Sequence, residues 1–256
     1  MNVVRLMHME VGLPNPTEGW ELRMLLKGIQ RKNGAPPKQK LPITLSVLRD
    51  LHKVIDVSSS FFIAFWAACI IGFYCFLRKS TLLPERITTR GYRCLCMGDV
   101  TIESAQQANI VVRHTKTIQF GQRVLKLPLI AIPDSALCPV HALNSLMVQF
   151  QDNDDTNNIP LFSYYDDSHQ VRCLTYSSFV KTLRSVLKHS GYSPEEYSGH
   201  SFRRGGCSFA FKVGLPTQLI KLRGDWKSNA YERYVHVDDS IQVRVAKALS
   251  LAVQSS

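Results

Sequence analysis

Apolar residues recur at helical spacing through Trp20-Glu21-Leu22-Arg23-Met24-Leu25-Leu26-Lys27-Gly28-Ile29, so the chain to about Ile29 is expected to be helical. Gly34-Ala35-Pro36-Pro37-Lys38-Gln39-Lys40-Leu41-Pro42 then interrupts the pattern as a proline-rich basic linker. Periodicity resumes after Thr44, whose hydroxyl can cap a helix bearing Leu48 and Leu51. The run from Phe61 to Leu77 has no charge at all, and the helix it predicts is expected to stop at Pro84. Three β-prone runs follow at 92–103, 109–117 and 123–132, separated by Ala105-Gln106-Gln107 and Phe120-Gly121-Gln122. They predict a three-stranded meander in the one strand-rich region of the chain. The rest reads as helix at 139–149 (with Pro139 in its first turn), 176–189, 201–213, 217–222, 228–236 and 239–252. Gly191, Gly214 and Gly224 are the expected helix stops, and Asp154-Asp155 and Asp166-Asp167 are solvated turn residues. The fold class is therefore mixed α/β, mainly α-helical, with a small three-stranded antiparallel sheet.

Composition narrows the class. With 256 residues, 45% hydrophobic and 20% charged, the chain can bury a sizeable core as an ordinary soluble globular protein. The apolar run at 61–77 lies at the lower edge of membrane-span length. However, it is solitary, ends directly in Arg78-Lys79, and holds Ala64, Ala67, Ala68 and Gly72, which suit close packing. A helix that is apolar all round is equally the central helix of a soluble domain, and that reading is preferred to a membrane protein. The seven cysteines are odd in number and irregularly spaced, which argues for a reducing compartment and against a disulfide framework. Cys94-Leu95-Cys96 and Cys138-Pro139-Val140-His141 lack the paired spacing of structural zinc sites, so no metal is expected.

The formal net charge is +11, and its distribution is uneven. Residues 1–53 carry 9 basic and 4 acidic side chains and residues 181–236 carry 10 and 4, while the remainder is balanced. Two basic clusters of this kind suit a polyanion, nucleic acid first. The second cluster also holds the densest chemistry in the chain. His200 and Arg203 are three apart near a helix start, hence on one face and beside a terminus that favours anions. Arg204 points a third of a turn away. Trp226, Tyr231 and Tyr234 follow. An imidazole, a guanidinium and a nearby phenol are what attack of a tyrosine on a phosphodiester needs.

With these residues in place, residues 40–240 resemble the catalytic domain of the tyrosine recombinase (phage integrase) family. The resemblance rests on six positions in order. Phe76-Leu77-Arg78-Lys79-Ser80 looks like the family's first arginine motif and nominates Arg78. His114-Thr115-Lys116-Thr117, at the end of the second strand, looks like the hairpin lysine and nominates Lys116. His200 and Arg203 match His-x-x-Arg, Trp226 stands where the family has His or Trp, and Tyr234-Val235-His236 looks like the Tyr-x-His ending that supplies the nucleophile. Residues 76–84 and 39–44 look most like eukaryotic mobile-element members of the DIRS or Crypton type. The resemblance implies the tyrosine recombinase catalytic-domain fold and a 3′-phosphotyrosyl intermediate without metal or cofactor. It further implies double-stranded DNA as partner, homo-oligomers assembled on DNA, and the nucleus as compartment. It divides the chain into a remnant of an N-terminal helical core-binding domain (1–35), a linker (36–43) and a catalytic domain (44–256).

The resemblance also assigns roles. Arg78 and Arg203 would clamp the phosphate oxygens, His200 would act as general base or phosphate ligand, and Lys116 would protonate the leaving 5′ oxygen. Trp226 would pack on the site and donate its indole N–H. A free tyrosine has a pKa of about 10, so the phenol at 234 would need electropositive surroundings to become a nucleophile. Three departures stand out. Thr81 occupies the position, three after Arg78, where the family often has a bracing Glu. Tyr231 also fits the nucleophile's place, and is read as a packing residue. The Trp226–Tyr234 spacing is eight residues, one short of the usual. The alternatives are a non-catalytic DNA-binding protein descended from a recombinase and a type IB topoisomerase-like nicking-closing enzyme.

Overall fold

A computed structural model of the chain describes residues 2–34, 39–86, 93–152 and 156–235, with 243 and 247. The expected helix at 239–252 (apart from 243 and 247), His236 of the Tyr-x-His ending, Asp154-Asp155 and residues 35–38 of the proline-rich stretch lie outside them. The chain divides into two compact units, residues 1–39 and 40–256. The first holds α1 (Asn2–Glu10) and α2 (Trp20–Asn33), whose side chains are largely exposed.

The second unit opens with residues 40–43 bound to it: Leu41 N–H donates to the Glu196 carbonyl at 2.7 Å and Ile43 N–H to the Ser201 carbonyl at 2.9 Å. Thr44 Oγ1 accepts from Val47 N–H at 3.3 Å and starts α3 (Leu45–Val54), which buries Val47, Leu48 and Leu51. Helix α4 (Ser60–Tyr74) is the centre of the core: every residue from Ala64 to Phe73 is buried, which explains its uninterrupted apolarity. Each large side chain buried there contributes about 1.5–3 kcal/mol. Among the described residues, no helix is long and apolar enough to cross a membrane.

The expected run of this helix to Pro84 is incorrect. The chain breaks at Cys75–Phe76, where Phe76 takes a left-handed φ of 49°, and resumes as the short α5 (Lys79–Leu82) with Arg78 at its N-cap. Hydrophobicity alone carried the expectation across the break. The break is tertiary: the Phe76 carbonyl accepts a hydrogen bond from Arg203 Nη1, 127 residues further along the chain.

The meander is present as β1 (Val100–Ser104), β2 (Gln107–Val112) and β3 (Leu125–Ile130), antiparallel in that order. Ala108, Ile110 and Val112 stand opposite Leu129, Leu127 and Leu125, and all six face the core. Pro128 sits in β3, an edge strand, where a missing N–H is tolerated. Helix α6 (Pro139–Val148) packs on α4. A second, unforeseen hairpin of β4 (Ser163–Tyr165) and β5 (Val171–Cys173) follows, closed by Asp166 accepting the Ser168 and Gln170 amides. Three-residue strands are too short to show a period.

Then come α7 (Tyr176–His189), α8 (Gly199–Lys212) and α9 (Thr217–Arg223). Helix α8 lies close on two backbone segments because it carries Gly205 and Gly206: a Cβ there would meet the Ile43 carbonyl oxygen at 1.8 Å and that of Phe73 at 2.0 Å. The expected α-helix at 228–236 is a 3₁₀ helix, Asn229–Arg233, started by Ser228 Oγ accepting from Ala230 N–H. Gly224 ends α9 without a left-handed φ; Asp225 takes that conformation instead, at 54°.

Candidate active site

Helix α8 begins where Ser198 N–H donates to Ser201 Oγ at 3.0 Å, and its first turn carries His200 and Arg203. Arg203 is 1% exposed. It donates through Nη1 to the Phe76 carbonyl and through Nη2 to the Gly224 carbonyl at 2.8 Å, bridging the break after α4 to the turn after α9. Its guanidinium lies 3.8 Å from the Trp226 ring centre and 4.9 Å from that of Tyr234. Burial, and then the like charge of Arg78, push its pKa down to about 9, against the opposing influence of Tyr234. Among the described residues, no carboxylate lies within ion-pair distance of it and its buried Nε–H has no acceptor.

His200 is half-buried, and its pKa is lowered first by that burial and then by Arg203, Lys79 and Arg78. Both effects disfavour the charged imidazole, which faces three cations. Arg78, at the N-cap of α5, points to the same place and lies 3.8 Å from Asp225 Oδ2, with Nη2 donating to the Asp225 carbonyl at 3.4 Å.

Trp226, Tyr231 and Tyr234 pack with Phe76, Cys207 and Ile220 in a small second core beside the site. The Trp226 ring centre is 5.3 Å from that of Tyr234 and 6.4 Å from that of Tyr231. Tyr234 is the C-cap of the 3₁₀ helix, its N–H donating to the Tyr231 carbonyl at 2.7 Å. Tyr234 borders Arg203, whereas Tyr231 lies 6.0 Å from Lys221 Nζ. Ser208 Oγ holds the Tyr234 carbonyl at 3.2 Å.

Lys116 is not at the end of a strand. Strand β2 stops at Val112, and Lys116 sits exposed in a tight turn closed by reciprocal hydrogen bonds between Thr115 and Ile118. It lines a cleft of about 360 Å³ with Thr81 and Thr115, both of which also border the crevice between Arg78 and Arg203. Arg78, His200, Arg203, Trp226 and Tyr234 therefore converge, and Lys116 lies on the adjoining wall. Among the described residues, no three His, Cys, Asp or Glu side chains gather as a metal would require.

No family model matches this chain, and no curated protein sequence does. Solved structures do match. The XerH site-specific recombinase, in a post-cleavage complex with its palindromic difH substrate, is similar with a TM-score of 0.59 and 16% identity, over 83% of this chain and 54% of that one. The XerA recombinase gives 0.56 at 17% identity, over 96% and 72%. A variant of the Tn1549 transposon integrase with circular-intermediate DNA gives 0.54 at 13%, over 96% and 83%.

The fold is that of the tyrosine recombinases. This chain spans about half the length of the XerH chain.

Three residues after Arg78 stands a buried Thr81, and a carboxylate reaches Arg78 from elsewhere. Asp225, 6% exposed, accepts from Thr115 Oγ1 at 2.6 Å, from Thr117 Oγ1 and from Arg123 Nη2, and lies beside Arg78. Asp225, Thr115, Thr117, Arg123 and Lys79 were not singled out from the sequence. The signal available was Asp225 itself, a lone acid between Gly224 and Trp226 in the basic segment.

Proposed function

We propose that this chain breaks and rejoins DNA strands by phosphoryl transfer to Tyr234. The observation that carries the reading is Arg203: a buried guanidinium, stacked on Trp226 and Tyr234, with no carboxylate partner among the described residues. Burying such a charge costs several kcal/mol, which charge-assisted bonds to a phosphate oxygen would offset. In the step, the Tyr234 oxygen bonds to phosphorus as the bond from phosphorus to the 5′ oxygen breaks. The phenol's proton passes to the neutral His200, and the leaving oxygen takes a proton for which Lys116 is the donor. Arg78 and Arg203 stabilise the charge that builds on the non-bridging oxygens. The phosphotyrosyl diester stays reactive, so a DNA 5′ hydroxyl can reverse the step without an external energy source.

Duplex DNA as substrate fits the net charge of +11. XerH and the Tn1549 integrase, which share the fold, were solved bound to DNA. A mobile-element origin and a nuclear location extend the same reading through the resemblance of residues 76–84 and 39–44, and assembly of several copies on DNA through the family resemblance as a whole.

The test is covalent trapping on a nicked duplex that loses its 5′ fragment after cleavage. The wild-type chain and Tyr231→Phe should give a denaturant-stable protein–DNA adduct, and Tyr234→Phe none. DNA binding at low salt with no adduct from any of them would overturn the reading in favour of a non-catalytic DNA-binding protein.

A further inference from the structure

Three segments distant in sequence end on one carboxylate. Asp225 follows α9; Thr115 and Thr117 flank Lys116 in the β2–β3 connection; Arg123 precedes β3; and Arg78 caps α5. Both threonine hydroxyls donate to the same oxygen, Oδ2, while Arg123 takes Oδ1. The turn is further tightened by Thr115 Oγ1, which accepts the Thr117 and Ile118 amides at 3.1 and 3.0 Å. A Lys between two threonines anchored in this way has its backbone fixed on both sides, although its own side chain is exposed.

We propose that Asp225 is a positioning residue that registers the Lys116 turn against the Arg78–Arg203 pair, so that a proton reaches the leaving oxygen of the phosphate those arginines hold. The inference rests on the reading of the site as a DNA strand-transfer centre.

Four observations support it. First, the carboxylate is almost fully buried, at 4% side-chain exposure, and each of its oxygens is engaged, so it is not a solvated surface acid. Burial works to raise its pKa, but the hydrogen bonds from Thr115, Thr117 and Arg123 outweigh it and hold the carboxyl below its ordinary range. Second, Asp225 adopts a left-handed φ of 54°, which Asp tolerates better than most residues and which aims the side chain back from the α9 turn. Third, its backbone carbonyl also takes a bond from Arg78, so one residue touches the clamp and the turn together. Fourth, Thr81 borders both the Lys116 cleft and the arginine crevice without supplying a charge.

The distinguishing readout is the leaving group. When sulfur replaces the bridging 5′ oxygen, the departing group is a thiolate, and since thiols are far more acidic than alcohols (a cysteine side chain titrates at about 8.5) no proton donor is needed. A defect in delivering the Lys116 proton should therefore vanish on the sulfur substrate, whereas a defect in the arginine clamp or in folding should persist.

The primary variant is Thr115→Val with Thr117→Val, which frees the turn while leaving Asp225, Arg123 and Arg78. It should cleave the oxygen substrate about 10–100-fold more slowly than wild type and the sulfur substrate within about threefold of it. Lys116→Ala should show the same selectivity and Tyr234→Phe no cleavage of either. Asp225→Asn, which also touches Arg78, should lose rate on both substrates but more on the oxygen one.

Equal loss on both substrates by the threonine variant, or no loss on either, would overturn the positioning role while leaving the proposed chemistry standing. Failure of the wild-type chain to cleave either substrate would overturn the chemistry, and the inference with it.

Discussion

Four glycines inside helices offer a graded test of how tightly the site's framework is packed. A Cβ on Gly28, in α2, would meet nothing within 4 Å. On Gly72, in α4, it would meet Leu82 Cδ2 at 3.2 Å and Phe202 Cβ at 3.5 Å, the former the end of a flexible side chain. On Gly205 and Gly206, in α8, it would run into backbone carbonyl oxygens at 1.8 and 2.0 Å. Replacing Gly by Ala in a helix gains about 1 kcal/mol where there is room. Gly28→Ala should therefore stabilise its helix by up to about 1 kcal/mol, and Gly72→Ala should come out near neutral, within about 1 kcal/mol either way.

Gly205→Ala and Gly206→Ala would force α8 to withdraw by more than about 1 Å to restore normal contact distances. Overpacking against backbone then outweighs the propensity gain, for a net loss of about 2–4 kcal/mol. In a unit of this size that is a fall in melting temperature of about 5–15 °C. The same shift would pull Arg203 from the Phe76 carbonyl, so adduct formation should fall with stability. Thermal and urea unfolding of the four variants provides the ranking. If either α8 variant were as stable as wild type, or if Gly72→Ala were the worst of the series, the close approach of α8 to residues 43 and 73 would be refuted.

Arg203→Lys keeps the charge but loses the fork that reaches the carbonyls of Phe76 and Gly224. Cleavage rate should drop about 10²–10³-fold and stability by about 1–3 kcal/mol, while duplex binding by gel shift changes less than about tenfold; an unimpaired cleavage rate would contradict the assigned clamp. Stability should also depend on pH through His52, lowered by burial, and His200, lowered by burial and then by Arg203, Lys79 and Arg78. Both bind protons more readily unfolded than folded, so their contribution is present above their ordinary value of 6.5 and is lost as pH falls below it. The slope is at most about 1.4 kcal/mol per pH unit for each. Chemical denaturation between pH 7.5 and about 5 should show this loss, and His52→Gln with His200→Gln should flatten it.

Much of the fold was legible because its signals are local. The Thr44 cap, the period of α7 and the alternation in β2 and β3 each involve neighbours in sequence, and the elements stand where those signals put them. The misses share a different cause. Nothing in 61–84 announces that the helix must break at Phe76, since the partner that holds the break, Arg203, is 127 residues away. The 3₁₀ geometry before Tyr234 likewise follows from packing on Trp226 and Cys207, not from the helical spacing of its apolar residues. Of the candidate site, the order of motifs named the converging side chains, but Lys116 was placed on a strand that ends four residues earlier.

The sequence shows Thr81 where a bracing Glu is expected, but not what takes its place. A family pattern ties support for Arg78 to a fixed position, Thr81, yet electrostatics requires only that a carboxylate arrive, from any direction, with its desolvation compensated. Here it arrives from the turn after α9, compensated by two hydroxyls and a guanidinium from the sheet side. That solution has a structural consequence. A Glu one turn along α5 would brace Arg78 within its own helix, whereas Asp225 draws in the β2–β3 connection and the turn that precedes Trp226. Arg78, the turn that holds Lys116 and the turn that precedes Trp226 then share one buried charge. Arg203 remains outside this arrangement: among the described residues no carboxylate lies within ion-pair distance of it, while Asp225 is committed to Arg123, Arg78 and the two threonines.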